Sequence, residues 1–266
     1  MKTFDQKFPK ADEVILATMG DWHIGSATCD AKAVEDFISK VKKNKALVMM
    51  MGDLTENAIV GSVGSIFEQT LTPREQVKEV VRLLSPIKDQ IIGGIGGNHG
   101  ARTQKVAGLN PDEIICWELG VPFFGATAVG RIRVGKSTDW RIMAHHGAGG
   151  GALLGSKLNV IAEKMTKIIP IADLYIAGHT HADVAGSDTR PMIGLGSGRV
   201  QITRQRRHFS GTGSLLDYDN SYAENMLLPP ASKVQIFHHL GQRIHKSEVG
   251  EEKRVKAYKR IPVYYY

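Results

Sequence analysis

Cysteine is almost missing from this chain. Only Cys29 and Cys116 occur among 266 residues, which excludes a disulfide framework and a cysteine zinc site and fits a reducing compartment. Long apolar runs are missing too: no stretch approaches the roughly 18 consecutive apolar residues of a membrane span. The N-terminal MKTFDQKFPKADEV stays polar up to Val14, and the apolar run after it is too short for a signal segment. A cytoplasmic protein that does not enter a membrane is expected. No fixed-period repeat is present, which argues against a solenoid. At 42% hydrophobic and 23% charged, the chain can bury a large core, so disorder is excluded. One domain spanning 1–266 is expected.

Charge of one sign is scarce only in places. The formal net charge is +7, and residues 199–266 hold twelve Lys/Arg against six Asp/Glu, so nearly all the excess lies in the last quarter. This basic portion reads either as a surface for a polyanionic partner, nucleic acid among them, or as a solvated face.

Short apolar runs alternate with amphipathic patterns through the first half, the signature of βα units. Strands are predicted at Val14–Met19, Ala46–Met51 and Gln90–Ile95, with helices over 31–43 and Pro73–Leu84, the latter capped by Thr72. After about residue 120 the strands shorten and Gly-rich turns appear: Arg131–Val134, Trp140–Ala144, Leu174–Ala177, Met192–Leu195 and Val234–His238, with one helix at about Leu158–Ile168. The pattern implies an α/β fold of two mixed sheets packed as a sandwich with flanking helices, in which the basic portion 199–266 completes the second, more antiparallel sheet.

Polar residues able to bind metal stand where the apolar runs stop. The groups are Asp21 and His23, then Gly52-Asp53, then Gly97-Asn98-His99, then His145-His146-Gly147, then Gly178-His179-Thr180-His181. Each is ordinary by itself: Gly-Asp is a turn signal and a lone histidine at a strand end is usually a hydrogen-bonded residue. The joint pattern is not ordinary, because carboxyl ends of parallel strands lie along one edge and can bring five groups together. In an extended segment, Asp21 and His23, and likewise His179 and His181, would point the same way toward one centre. Asp53 has two oxygens with which to bridge two cations. A mixed O/N donor set without thiolate suits Mn, Fe, Zn or Ni better than Ca or Mg.

This ordered series resembles the calcineurin-like metallophosphoesterase superfamily over roughly residues 14–184. The resemblance implies a four-layer fold and a phosphoesterase in which a hydroxide bridging two divalent ions, manganese first among the candidates, attacks phosphorus. It assigns Asp21, His23, Asp53 and His181 to one ion, and Asp53, Asn98, His145 and His179 to the other. The adjacency of His145 and His146 leaves two assignments; relatives with His-x-Gly place the ligand first, which favours His145 and leaves His146 near the substrate. His99 matches the histidine that faces the leaving group as proton donor or transition-state stabiliser. The family usually follows that histidine with an acid, but here it is Gly100, and Glu56 is a candidate substitute. Arg102 is a candidate phosphate clamp, since the segment from Asn98 to Gly108 looks like that of small phage-type members. Arg206, Arg207 and Tyr222 are candidate substrate contacts, in a region resembling one that returns over the metal edge in phage-type relatives.

No arginine follows Asp53 to grip a dianionic monoester, since the motif reads Gly52-Asp53-Leu54-Thr55-Glu56-Asn57. The resemblance is therefore closer to the phosphodiesterase and DNA-repair nuclease branches. The alternatives are a phosphomonoesterase acting on a nucleotide or phosphoprotein, and a non-catalytic binding module on the same fold. The glycines at 147–152 and 194–198 fit neither a dinucleotide fold nor a phosphate-binding loop closed by Gly-Lys-Ser/Thr.

Overall fold

The computed structural model describes residues 1–62, 66–149, 153–196, 199–219, 224, 233–248, 253–260 and 263–265. The chain is α/β, with two mixed sheets. One sheet holds β1 (Lys2–Phe8), β5 (Thr127–Val134), β6 (Thr138–His145), β7 (Leu174–Ala177), β9 (Arg199–Gly211) and β8 (Ala185–Gly196), in that spatial order. The other runs β11 (Lys253–Arg260), β10 (Ile236–Glu248), β2 (Glu13–Met19), β3 (Leu47–Met50) and β4 (Ile91–Gly94), with β12 (Val263–Tyr265) also on β10. Among the described residues, no helix is long and apolar enough to cross a membrane.

Strand alternation sorts the side chains into layers. From β2 and β3, Leu16 and Met49 join Ile132, Trp140, Ile142, Leu174 and Ile176 of the opposing sheet in one core between the sheets. The intervening Ala17, Met19, Val48 and Met50 face the other way, onto α1 (Ala31–Asn44), α2 (Pro73–Leu84) and α4 (Pro111–Leu119). On the far side, Met143, Tyr175 and Phe209 pack on Ile161 and Met165 of the helical segment 154–168. That segment comprises α5 (Leu154–Val160), a π-helical turn (Ile161–Met165) and α6 (Thr166–Ile168). Strands that must be apolar on both faces read as uninterrupted runs, which is why β2, β3 and β7 were visible in the sequence.

The helices follow their local signals. α1 starts at Asp30, whose side chain accepts the Ala33 N–H, and buries Val34, Phe37, Ile38 and Val41. α2 opens on a capping box, Thr72 and Glu75 each accepting from the other's backbone N–H.

Three features differ from the sequence expectation. The polar N-terminus forms β1, an edge strand that buries only Phe4 and lays Phe8 against the core; half-buried alternation replaces the run expected of a strand. Residues 98–119 form two helices, α3 (Asn98–Ala107) and α4. α3 has no apolar stripe, Gly100 being its one buried residue, so period counting misses it. The basic C-terminal portion does not complete a single sheet: β9 joins β7, whereas β10 pairs antiparallel with β2 and carries β11 and β12 with it.

Candidate metal centre

β2, β3 and β4 of one sheet and β6 and β7 of the other end on the same side of the stack, and the five polar groups meet there. Glycine makes room for them. Gly52 lies at φ +86°, and a Cβ there would come within 2.5 Å of the Gly97 nitrogen; one on Gly97 would lie 2.0 Å from Asp53 Oδ1. Only bare backbone lets the ends of β3 and β4 approach this closely.

Among the described residues, three groups of side chains could each hold a metal ion: Asp21, His23 and His181; Asp53, His146 and His179; and His23, Glu56 and His99. Asn98 belongs with the second, its Oδ1 lying 3.0 Å from His146 Nε2 and 2.8 Å from His179 Nδ1. The pairs do not converge through extended backbone, as the sequence expectation had it. Asp21, His23, Asp53, Asn57, His179 and His181 all have positive φ, between 45° and 68°. Six non-glycine residues in the left-handed region at one place is concentrated backbone strain, which persists where surrounding structure enforces it. His179 and His181 consequently diverge into different groups.

The enforcing contacts are mostly buried. Asp21 Oδ2 accepts the His179 N–H at 2.9 Å and the Thr212 hydroxyl at 3.4 Å. Asp53 Oδ1 accepts the His99 N–H at 2.8 Å. Gln235 holds the end of β2, accepting the Gly20 N–H at 3.0 Å and donating to the Gly20 carbonyl at 3.2 Å. Gln76 accepts the Asn57 N–H at 2.8 Å from within α2.

The fourth motif is corrected. His145, favoured as a ligand, is the last residue of β6; it lies on the Met143 side of that strand, and its Nδ1 accepts the Gly147 N–H at 2.8 Å. His146, just past the strand, turns inward: its Nδ1–H donates to the Met51 carbonyl at 2.7 Å, and its Nε2 lies 3.1 Å from Asp53 Oδ2. His146 and not His145 joins the Asp53 group.

Hydrogen-bond bookkeeping tests whether these residues fit a cation. With Nδ1 donating to Met51, a neutral His146 turns a lone pair on two acceptors, Asp53 Oδ2 and Asn98 Oδ1. His23 is oriented by a similar bond: its Nδ1–H donates to Glu56 Oε2 at 2.9 Å, which turns its Nε2 to His181 Nε2 at 3.3 Å. His181 Nε2 in turn lies 3.4 Å from Asp21 Oδ1. A lone pair of His146 facing a carboxylate calls for positive charge between them, from a proton or from a metal, and two ring nitrogens and a carboxylate oxygen converge at His23, His181 and Asp21, so the donor set fits a cation. Protons answer in its absence: burial opposes the charged form of His146, yet the Asp53 carboxylate outweighs it and holds the imidazole up at about 10. Burial likewise opposes charge on Asp53, which His146 nevertheless keeps well below the usual carboxylate range.

His99 behaves differently. Burial, with His23 beside it, pushes His99 down to about 4, and its Nδ1 lies 2.5 Å from the Glu56 backbone carbonyl, which can only accept. The ring is therefore neutral with its lone pair on Nε2, 3.9 Å from Asp53 Oδ2. This favours an acceptor over the expected proton donor. The acid missing at position 100 is accounted for sterically: a Cβ on Gly100 would lie 2.5 Å from Asn110 Oδ1 and 2.8 Å from Asp112 Oδ2. Asp112 fills that volume and accepts the Gly97 N–H at 2.8 Å. Glu56 approaches His99 Nδ1 at 3.8 Å.

Of the candidate substrate contacts, Arg102 stands one helical turn beyond Asn98 on α3, near enough for its charge to bear on Glu56 and His99. Its Nη1 is buried without a hydrogen-bond partner. Arg207 is not available: it is buried, paired with Asp188 and laid over the Phe209 ring. Arg206 is exposed on β9, far from this end of the sheet. Tyr222 lies outside the described residues, as do Gly150 and Gly151. The loop after β9 does pass the centre, through Thr212 and through the Leu215 N–H on the Asp21 carbonyl at 3.3 Å.

Residues missed in the sequence include Asn57, which is buried and donates through Nδ2 to the His99 carbonyl at 2.9 Å, together with Gln76 and Gln235. A glutamine on the buried face of α2 was the one visible signal among them. A scan against protein-family models and a search of curated proteins return no match for the chain, so the functional reading is carried by the geometry and the motif series.

Proposed function

We propose that the chain is a metal-dependent phosphoric ester hydrolase with a preference for phosphodiesters. The observation that carries the reading is the pair of adjoining groups, Asp21–His23–His181 and Asp53–His146–His179 with Asn98, whose oxygen and nitrogen donors converge at one end of both sheets. Two divalent cations bound there, manganese first among the candidates, would neutralise phosphate charge and acidify a water molecule. Asp53, a member of the second group, is near enough for its charge to bear on Asp21 and His23 of the first. His99 Nε2 accepts a hydrogen bond and so orients a water or hydroxyl at the edge. Arg102 supplies fixed positive charge toward a phosphate or a leaving oxygen.

The preference for diesters rests on charge. Glu56, beside His23 and His99, repels a dianionic monoester more strongly than a monoanionic diester, and no arginine follows Asp53 to offset it. The basic segment adds nothing here, since the arginines of β9 precede the part of that strand that reaches this end of the sheet.

The test uses protein incubated with Mn²⁺ and freed of excess metal, assayed on bis(4-nitrophenyl) phosphate and on 4-nitrophenyl phosphate. About two equivalents of retained metal and turnover of the diester are expected, with D53N losing both. Failure to retain metal would refute the centre, and turnover of the monoester alone would refute the substrate preference.

A further inference from the structure

The direction of the strands separates the basic residues from the candidate metal centre. β9 runs parallel to β7, with Leu174 opposite His208 and Ala177 opposite Gly211. Since β7 leads from Ala177 into His179, the end of β9 that reaches the metal edge is Gly211, and Arg199–Arg207 lie toward the opposite end. There they pair with β8 alone, in a ribbon whose twelve residue pairs run from Ala185↔Ser210 to Gly196↔Arg199. At about 3.4 Å per residue, the nine residues before His208 reach about 30 Å. β10 leaves by the same end: Thr18 faces Ile236 and Glu13 faces Gly241, after which Gln242–Glu248 pair with β11 and no longer with β2. The sequence from Ala185 to Gly211 contains five arginines and one acid, and that from Gly241 to Arg260 seven Lys/Arg and three acids. The excess in these two segments is larger than the net charge of the whole chain.

The β8–β9 ribbon has two sides with different residues. Opposed pairs share a face, and so do residues two apart. Ile193, Val200 and Ile202 therefore stand together near the tip, 78%, 69% and 73% exposed, with Arg204 and Arg206 following on the same face and Arg190 on the other. All three arginines are exposed. Arginines two residues apart on an extended strand are about 6.8 Å apart, two of the 3.4 Å steps at which a nucleic-acid strand carries charge. A two-stranded ribbon fits the roughly 12 Å major groove, where apolar side chains at the end of such an arm meet base edges and thymine methyl groups.

We infer that the β8–β9 ribbon is a docking arm for duplex nucleic acid, at the end of the molecule opposite the candidate metal centre. Arg204 and Arg206 contact the phosphates, and Ile193, Val200 and Ile202, on the same face, meet the base edges. Polymer held on the arm is not the ester presented to the metal edge of the same chain, so the inference is independent of the proposed hydrolase.

The test is fluorescence anisotropy of a labelled DNA duplex of about 20 bp with the full chain in EDTA, across a salt series. Without divalent metal the centre at the other end has no part in the result. Binding that weakens steeply with salt is expected. R204Q/R206Q should weaken it at least tenfold at fixed salt and lower the slope of log K against log salt by about 1.8. I193S/I202S should weaken binding with the slope unchanged. Unaltered circular dichroism would show that both variants fold. Absence of salt-dependent binding in the parent chain, or equal binding by R204Q/R206Q, would overturn the inference. So would a parent dimer that dissociates in I193S/I202S with no affinity for DNA in either form, which would make the ribbon an interface between copies.

Discussion

Glu56 is the residue on which the orientation of His23 turns, and its removal has a calculable effect. Its Oε2 accepts the His23 Nδ1–H at 2.9 Å with the carboxylate side chain 16% exposed, a charge-assisted bond of about 1.5–3 kcal/mol. The bond fixes which ring nitrogen is bare and raises the basicity of that nitrogen, Nε2, which faces Asp21 and His181. Partners of this kind typically contribute 10- to 100-fold in metal affinity. E56A removes acceptor and charge together, so Mn²⁺ binding at the Asp21 group should weaken by about 30- to 100-fold. E56Q keeps an oxygen acceptor without the charge, and a loss of about 3- to 10-fold is expected.

Isothermal titration with Mn²⁺ gives the affinities; ¹⁵N chemical shifts of the histidine rings in metal-free protein give the tautomers, at a pH high enough to neutralise His23, whose burial is outweighed by Glu56 so that its pKa is raised. His99 serves as the internal control. Its Nδ1–H goes to the Glu56 backbone carbonyl, which every substitution at 56 retains, so its tautomer should persist in E56A while that of His23 is lost. Collapse of the loop would move both rings. E56A that binds Mn²⁺ like the parent chain, or keeps the His23 tautomer, would refute the reasoning.

Three further outcomes follow from the same geometry. H146A should lower Mn²⁺ affinity by well over an order of magnitude and H145A should change it little, measured by the same titration; the reverse order would restore His145 as the ligand. G100A should destabilise by about 1–3 kcal/mol in urea unfolding, because its Cβ would meet the Asn110 side chain that caps α4, a cost above the roughly 1 kcal/mol gained in helix propensity. Asp112 is pushed up to about 7 from 3.8 by burial and by the charge of Asp53; its neutral form therefore supports the fold below about pH 4, and that support is lost as pH rises through 7. The stability of D112N relative to the parent chain should accordingly rise between pH 4 and 8, by at most about 4 kcal/mol. A difference that stays flat with pH would place the carboxyl in water.

Most of the central fold was legible because β2, β3, β4 and β7 are apolar on both faces and announce themselves as runs. What escaped has a half-buried or locally enforced character. β1 buries Phe4 and little else, α3 has no apolar stripe, and the sheet to which β10 belongs is decided by pairing with β2 across more than two hundred residues, which no local pattern encodes. The choice between His145 and His146 escaped for a related reason. Motif order puts the ligand first, but strand alternation on β6 places His145 with Met143, and only the residue after the strand is free to turn.

The residues two apart come together at this edge by left-handed backbone and not by extended strand, and the difference has a chemical consequence. In an extended strand, residues two apart share one side and would serve one centre. The left-handed backbone at His179 and His181 sends one ring to Asn98 and Asp53 and the other to Asp21 and His23, so a three-residue segment spans two adjoining groups. Aspartate, asparagine and histidine are the non-glycine residues that enter the left-handed region most readily, and they are also the oxygen and nitrogen donors a divalent cation takes. At this edge the residue types suited to the chemistry are those the backbone can bend at. That is how side chains from two sheets come to converge on one point, and a cation there would offset the electrostatic cost of the His146 lone pair facing Asp53 and Asn98.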